Sequence, residues 1–74
     1  MKIEFSEHAL ARLKSRKNIT KDMVINTVQS PDHNSESFKD RIVLQKIYDD
    51  KVLEVVCKKE DNIVIVITEY FLEK

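Results

Sequence analysis

A chain of 74 residues with 13 basic side chains, 13 acidic side chains and no glycine forms one domain, residues 1–74, and excludes several classes of site. Without glycine it cannot build the phosphate-binding loops of P-loop or Rossmann proteins. The formal charge of zero also counts against strong, sequence-independent binding of nucleic acid. That charge is unevenly spread, because residues 1–21 carry six basic and two acidic side chains, a net charge of +4.

The single cysteine, Cys57, rules out an internal disulfide, which suits a reducing cytosol. Its apolar neighbours indicate a core residue, and a nucleophilic role is the alternative. His8 and His33 are the only histidines, and no set of carboxylates joins them at ligand spacing, so we expect no metal and no cofactor. The apolar run 63–67 is too short to cross a bilayer, so we expect no membrane partner and a cytoplasmic location.

Residues 1–5 alternate between charged and apolar side chains and predict a short strand. A first helix should follow, because Ser6 is a good N-cap. Phe5 and Leu10 have the spacing of a hydrophobic staple, a contact that fixes the angle at which the chain enters a helix. The apolar arc of this helix, which should pack on the rest of the protein, consists of Ala9, Leu10 and Leu13.

The neighbouring arc of the first helix carries His8, Arg12 and Arg16, spaced at i, i+4 and i+8. A histidine can transfer a proton near neutral pH, and two arginines can hold an anion. The arc could equally be an ordinary solvated face with a histidine near the helix start.

A second helix is predicted over residues 21–29, with Thr20 as its N-cap and Pro31 just beyond its end. Residues 32–37 are polar and indicate a loop, although part of the segment could begin a strand that runs through residue 38. From Arg41 the apolar pattern changes to alternation, and two short turns separate three strands, which predicts an antiparallel meander. The fold class that follows is α+β, with an N-terminal helical hairpin on a curved antiparallel sheet of three to four strands.

The last predicted strand has an uninterrupted apolar run, residues 63–67, which indicates cover on both of its faces. Alternation places Thr68 and Tyr70 on one face with Val64 and Val66, and Glu69 on the other. Two hydroxyls on one face could bind a phosphate, and a tyrosine could also donate a proton or stack on a base. The high β-propensity of threonine and tyrosine explains both residues equally well.

These motifs together resemble a small uncharacterised family of bacterial and archaeal domains that is similar to the RelE/ParE-type toxins, within the barnase-like and colicin-like ribonucleases. The resemblance covers nearly the whole chain. It depends on the following residues: His8, Ala9, Arg12, Arg16, the helix 19–28, Pro31, Val55, Val56, Ile67, Thr68 and Tyr70.

The resemblance implies a metal-independent endoribonuclease, the toxin of a toxin–antitoxin pair. His8 would then be the general acid or base, Arg12 and Arg16 would hold the scissile phosphate, and Tyr70 would complete the catalytic set. Thr68 and, less directly, Lys46 would bind the substrate. The implied partners are RNA, on the ribosome in some relatives, and a cognate antitoxin protein.

The alternative is a non-catalytic protein-binding module of the same fold. Such a module would use the basic helix and an exposed sheet edge to hold a protein partner or a second copy of itself. Inhibition of gyrase is a third activity found among the toxins that the chain resembles. Because one fold hosts many functions, the sequence leaves these functions open.

Overall fold

The computed structural model describes residues 2–36 and 39–72, which form two helices and one five-stranded sheet. In chain order the elements are β1 (Lys2–Phe5), α1 (Glu7–Ser15), α2 (Lys21–Gln29), β2 (His33–Glu36), β3 (Arg41–Tyr48), β4 (Lys51–Glu60) and β5 (Ile63–Leu72). The strands lie side by side in the order β1-β5-β4-β3-β2. β1 runs parallel to β5, and the other neighbouring pairs are antiparallel.

The predicted architecture is wrong in the number of strands, the type of sheet and the position of the helices. We expected three to four antiparallel strands and an N-terminal helical hairpin. The short strand predicted over residues 1–5 forms as β1, but it pairs in parallel with β5, which lies at the other end of the chain. β2 falls where we predicted a loop or the beginning of a strand, and the part of that strand expected at residues 37 and 38 lies outside the described residues. All four of its residues are exposed, so it has no alternating burial by which a sequence pattern could reveal it.

Both helices pack on the same face of the sheet but cover different strands. α1 contacts β5 and β1, and α2 contacts β4 and β3, so each helix is held by the sheet more than by the other helix. The core lies between the helices and the sheet. It consists of Ala9, Ile19, Val24, Leu44, Leu53, Val55, Cys57, Val64 and Val66. Within the described part of the chain no helix covers the opposite face, which we call the open face.

The orientation of α1 differs from the one that the staple spacing predicts. Ala9 is fully buried and Leu13 packs against the core, but Leu10 is 41% exposed. The inward positions are therefore Ala9, Leu13 and Arg16, which are spaced at i, i+4 and i+7 on one side of the helix. The prediction that Leu10 packs in the core is wrong.

The predicted N-caps of both helices and the turn at Asp49 are confirmed, whereas the first helix ends at Ser15 with Arg16 as its C-cap and not near Lys17 with a left-handed Asn18. Ser6 Oγ accepts the Ala9 amide at 3.0 Å, and Thr20 Oγ1 accepts the Met23 amide at 3.2 Å. Asp49, in the turn between β3 and β4, has a φ of 58°, in the left-handed region that usually favours glycine. An aspartate tolerates this conformation because its short side chain can hydrogen-bond locally, and a chain without glycine depends on that property.

We expect Leu53→Ala to destabilise the fold by about 2–5 kcal/mol, because Leu53 is fully buried and its truncation leaves a cavity. Leu10→Ala is the matched control, since the same atoms are removed from a side chain that is 41% exposed, and it should cost less than about 1 kcal/mol. Urea unfolding monitored by circular dichroism measures both values. An equal loss in the two variants would contradict this orientation of α1.

Candidate functional site

The first turn of α1 is attached to the middle of β5 through Ser6. The Ser6 amide donates to the Val66 carbonyl oxygen at 2.9 Å, and the Ser6 hydroxyl donates to the Ile67 carbonyl oxygen at 3.1 Å. The same hydroxyl oxygen caps the helix by accepting the Ala9 amide. Three hydrogen bonds at one residue thus fix where α1 begins relative to the sheet.

Three of the predicted site residues, His8, Arg12 and Arg16, lie along one side of α1, as the sequence predicted, and we call them the α1 stripe. His8 and Arg12 are exposed. Among the described residues, neither of these two side chains has a hydrogen-bond or ion-pair partner. They are one helical turn apart, so both can contact the same ligand.

Arg16, the third residue of the α1 stripe, is half-buried at the C-cap of α1. Its Nη1 atom donates to the carbonyl oxygen of Glu69 on β5 at 2.6 Å. This bond holds the end of α1 on β5, as Ser6 holds its beginning. Arg16 therefore positions the helix, and fewer of its donors remain for a ligand than in Arg12.

β5 contains a bulge at Ile67. Val56 of β4 pairs with Thr68, but the next residue, Cys57, pairs with Val66, so Ile67 has no partner on β4. One extra residue in a strand reverses the alternation of the side chains that follow it. The faces predicted for the second half of β5 are therefore wrong.

The bulge places Thr68 and Tyr70 on the open face and Glu69 on the helix-covered face. Glu69 is fully buried, like Val64 and Val66 before the bulge. Tyr70 pairs with Glu54, which alternates with the buried residues of β4 and so belongs to the open face. Tyr70 is thus on the opposite side of the sheet from α1, and the predicted grouping of His8 with Tyr70 does not form.

A row of hydrogen-bonded polar side chains crosses the open face, and we call Gln45, Glu54 and Tyr70 the polar row. Gln45 Nε2 donates to Glu54 Oε1 at 2.7 Å, and the Tyr70 hydroxyl donates to Glu54 Oε2. The hydrogen bond to Glu54, with burial and the charge of Glu54, raises the pKa of Tyr70 to about 12. Tyr70 therefore keeps its proton at neutral pH and donates it to Glu54.

Lys46 lies on a third part of the molecule. Its Nζ atom donates to the Ser30 carbonyl oxygen at 2.7 Å, at the C-terminal end of α2. A cation at that position satisfies a free carbonyl and complements the helix dipole. Lys46 thus stabilises α2 from β3, and two strands separate it from β1, so it shares no pocket with α1.

The sequence analysis did not identify Glu69 as a site residue, yet it is the most unusual ionisable group of the fold. Both of its carboxylate oxygens are buried without a hydrogen-bond partner among the described residues. Burial raises the pKa of Glu69 to about 7, against the opposing effects of the Arg16 charge and of the residue's own backbone amide. No feature of the sequence around Glu69 reveals this burial, because it depends on the bulge.

Cys57 is fully buried, and burial raises the pKa of its thiol to about 12. It is a core residue, as predicted, and its thiolate is not populated at neutral pH. The described residues contain no group of three or more histidine, cysteine or carboxylate side chains that could hold a metal ion. No helix in the ranges 2–36 and 39–72 has the length and apolar character needed to span a membrane.

Comparison with known families matches residues 5–71 to DUF4258, a domain of unknown function. This chain belongs to the DUF4258 family. The match spans every element from the end of β1 to nearly the end of β5. No curated protein and no solved structure matches the sequence. The family description assigns no activity, so the similarity of this DUF4258 domain to the RelE/ParE-type toxins stays a prediction.

The buried Glu69 makes the stability of this DUF4258 domain dependent on pH. Its pKa rises from 4.5 to about 7 on folding, so the folded state binds the proton more tightly. The resulting stabilisation is complete below pH 4.5 and is lost as the pH rises to about 7, a difference of roughly 3 kcal/mol. Glu69→Gln, which cannot ionise, should remove that part of the dependence.

Urea unfolding of wild type and Glu69→Gln at several pH values between 4 and 8 measures this difference. Glu36→Gln is the matched control, because Glu36 is exposed on β2. We expect Glu36→Gln to follow the wild-type curve. Parallel curves for wild type and Glu69→Gln would contradict the burial of an ionisable group at this position.

Proposed function

We propose that this DUF4258 domain is a metal-independent endoribonuclease, with His8 as its proton-transfer group and Arg12 as its phosphate ligand. The observation that carries the proposal is the position of these two side chains, exposed on adjacent turns of α1 and without a protein partner among the described residues. An imidazole can exchange a proton near neutral pH. A guanidinium can bind two phosphate oxygens in a fixed geometry.

The reaction that fits these groups is transesterification within RNA. The 2′-oxygen attacks the adjacent phosphorus, and the bond from phosphorus to the 5′-oxygen breaks, which gives a 2′,3′-cyclic phosphate and a free 5′-hydroxyl. His8 would take the proton of the 2′-hydroxyl or give a proton to the leaving oxygen. Arg12 would stabilise the additional negative charge on the phosphate in the transition state.

Charge and attachment support this use of α1. Residues 1–21 have a net charge of +4, which attracts a polyanion to this part of a chain whose remaining residues, 22–74, carry a net charge of −4. Ser6 holds the start of α1 on β5, and Arg16 holds its end. A helix fixed at both ends holds the backbone of His8 and Arg12 in a constant position, so the two groups start from a defined spacing.

The proposal omits three residues of the predicted site. Thr68 and Tyr70 belong to the open face, and Lys46 binds the end of α2. We assign Arg16 a positioning role rather than a catalytic one, because its guanidinium contacts the Glu69 carbonyl oxygen. The biological setting that we propose is the one implied by the resemblance, a cytoplasmic toxin held inactive by a cognate antitoxin.

The first test is cleavage of a mixed RNA by the purified protein in the presence of EDTA. Wild type should cleave, His8→Ala should lose roughly 100-fold or more of the rate, as expected for loss of a general acid or base, and 2′,3′-cyclic phosphate ends should accumulate. His33→Ala is the matched control, because His33 is also exposed but lies on β2. Equal loss in both histidine variants would argue against His8 as the catalytic group.

A second test separates RNA binding from cleavage. Arg12→Ala in the His8→Ala background should weaken binding of an RNA oligonucleotide and lower the slope of log K against log salt by about 0.7, since one phosphate contact is lost. Fluorescence anisotropy at several salt concentrations measures the slope. An unchanged slope would show that Arg12 contacts no phosphate.

A non-catalytic protein-binding module is the second candidate function. It is favoured by the open face, where Ile47 is 61% exposed on a sheet that no described helix covers from that side. Absence of RNA cleavage by wild type, both as free protein and on translating ribosomes, would favour this function over the first.

A further inference from the structure

The open face carries more apolar surface than a sheet that faces water needs. Its half-buried or exposed apolar positions include Val43, Ile47, Val52, Val56, Ile63, Ile65 and Leu72. Sheets that face solvent usually alternate apolar and polar side chains, so that the outer face is polar. The uninterrupted apolar run of β5 predicted cover on both faces, and α1 provides cover on only one.

The polar row makes this face suitable for burial. The Glu54 carboxylate accepts one hydrogen bond from Gln45 and one from Tyr70. A carboxylate that loses water without such donors would be strongly destabilising. Here both of its oxygens already accept hydrogen bonds on the same face, so a second surface can cover the row without leaving a carboxylate oxygen unpaired.

The charge of the open face favours a partner with the same surface. Its positions hold three basic and three acidic side chains, which are Lys2, Arg41, Lys58, Glu4, Glu54 and Glu60. Two of the acidic groups are already paired within the face, Glu4 with Lys2 at 3.4 Å and Glu60 with Lys58 at 3.0 Å. A face without net charge meets its own copy without overall like-charge repulsion, whereas it offers little to a strongly charged partner.

The area of the open face is sufficient for a dimer. β3, β4 and β5 have eight to ten residues each, and β1 and β2 have four. With about 3.3 Å per residue and about 4.8 Å between strands, the flat footprint is roughly 550 Å² per copy. Two copies would bury about 1,100 Å², which exceeds the lower limit of about 1,000 Å² for a specific interface. This flat estimate does not include the additional area of the protruding side chains.

The edges of the sheet are poor sites for strand addition, so the face is the better contact. β2 is a four-residue strand with every residue exposed and an acidic side chain at its end. β1 is equally short and presents Lys2 and Glu4. Short, polar edge strands with charged side chains disfavour pairing with another sheet.

We propose that two copies of this chain associate through their open faces, with the two sheets packed face to face and β4, the central strand, in the middle of the interface. Val56 lies near the centre of each face, and Ile47 lies on the neighbouring strand β3. The helices are on the outside of this dimer, so the α1 stripe of each copy remains exposed. The dimer is independent of the proposed ribonuclease activity.

Sedimentation equilibrium tests the dimer. At about 100 μM, a concentration at which a dimer with a micromolar dissociation constant is largely formed, wild type should have twice the chain mass of 8.7 kDa. Ile47→Lys and Val56→Lys should each weaken association about tenfold or more, because a cation would be buried against an apolar surface. Leu10→Lys is the matched control, since Leu10 is an exposed apolar residue on α1.

Circular dichroism establishes that each variant is folded. Ile47 is 61% exposed in one chain, so Ile47→Lys tests the interface even if Val56→Lys fails to fold. A wild-type mass of 8.7 kDa at every concentration up to about 0.5 mM would overturn the proposal, because a specific dimer with a micromolar dissociation constant would be almost fully formed there. It would also be overturned by a dimer that Leu10→Lys dissociates and Ile47→Lys does not, because that dimer would form through the helices.

Discussion

The unpaired residue Ile67 decides how the rest of this domain is arranged. β4 skips it, so the alternation of β5 reverses from Thr68 onward, and Glu69 enters the core while Tyr70 turns to the open face. The carbonyl oxygen of Ile67 accepts the hydroxyl of Ser6, which begins α1. One extra residue in β5 therefore decides which of the following side chains lie on each face of the sheet. It also lies at the point where the first helix is attached.

The reversal has an energetic cost that a small domain would normally avoid. A chain of this length buries only about 60% of its unfolded surface, and its net stability is a small difference between large terms. Burying the Glu69 carboxylate without a hydrogen bond lowers the free energy of unfolding by a substantial fraction at neutral pH. The nearby Arg16 offsets only part of this cost, because its guanidinium donates to the backbone rather than to the carboxylate.

The two faces of the sheet separate the two surfaces that we propose are functional. On the helix side, α1 presents His8 and Arg12 to solvent from a helix held at both ends. On the open side, apolar side chains surround a satisfied polar row. RNA bound at α1 and a second copy bound at the open face would not compete, because the full thickness of the sheet lies between them.

Local interactions were predictable from the sequence, and they fix the helices. The Ser6 and Thr20 caps, the extent of α2 and the left-handed turn at Asp49 depend on neighbours a few residues away, so the pattern reveals them. The spacing of His8, Arg12 and Arg16 also follows from helical geometry alone.

The tertiary structure decided what depends on distant pairing. Three features depend on partners that are distant in the sequence: the parallel pairing of β1 with β5, the exposed strand β2 and the bulge at Ile67. The alternation of side chains along one strand does not reveal such partners. For this reason the site predicted from β5 separates in the structure, with Tyr70 beside Glu54 rather than His8. The sequence by itself determined which side chains lie on the same side of α1. Only the folded sheet determined which side chains of β5 lie on the helix-covered face.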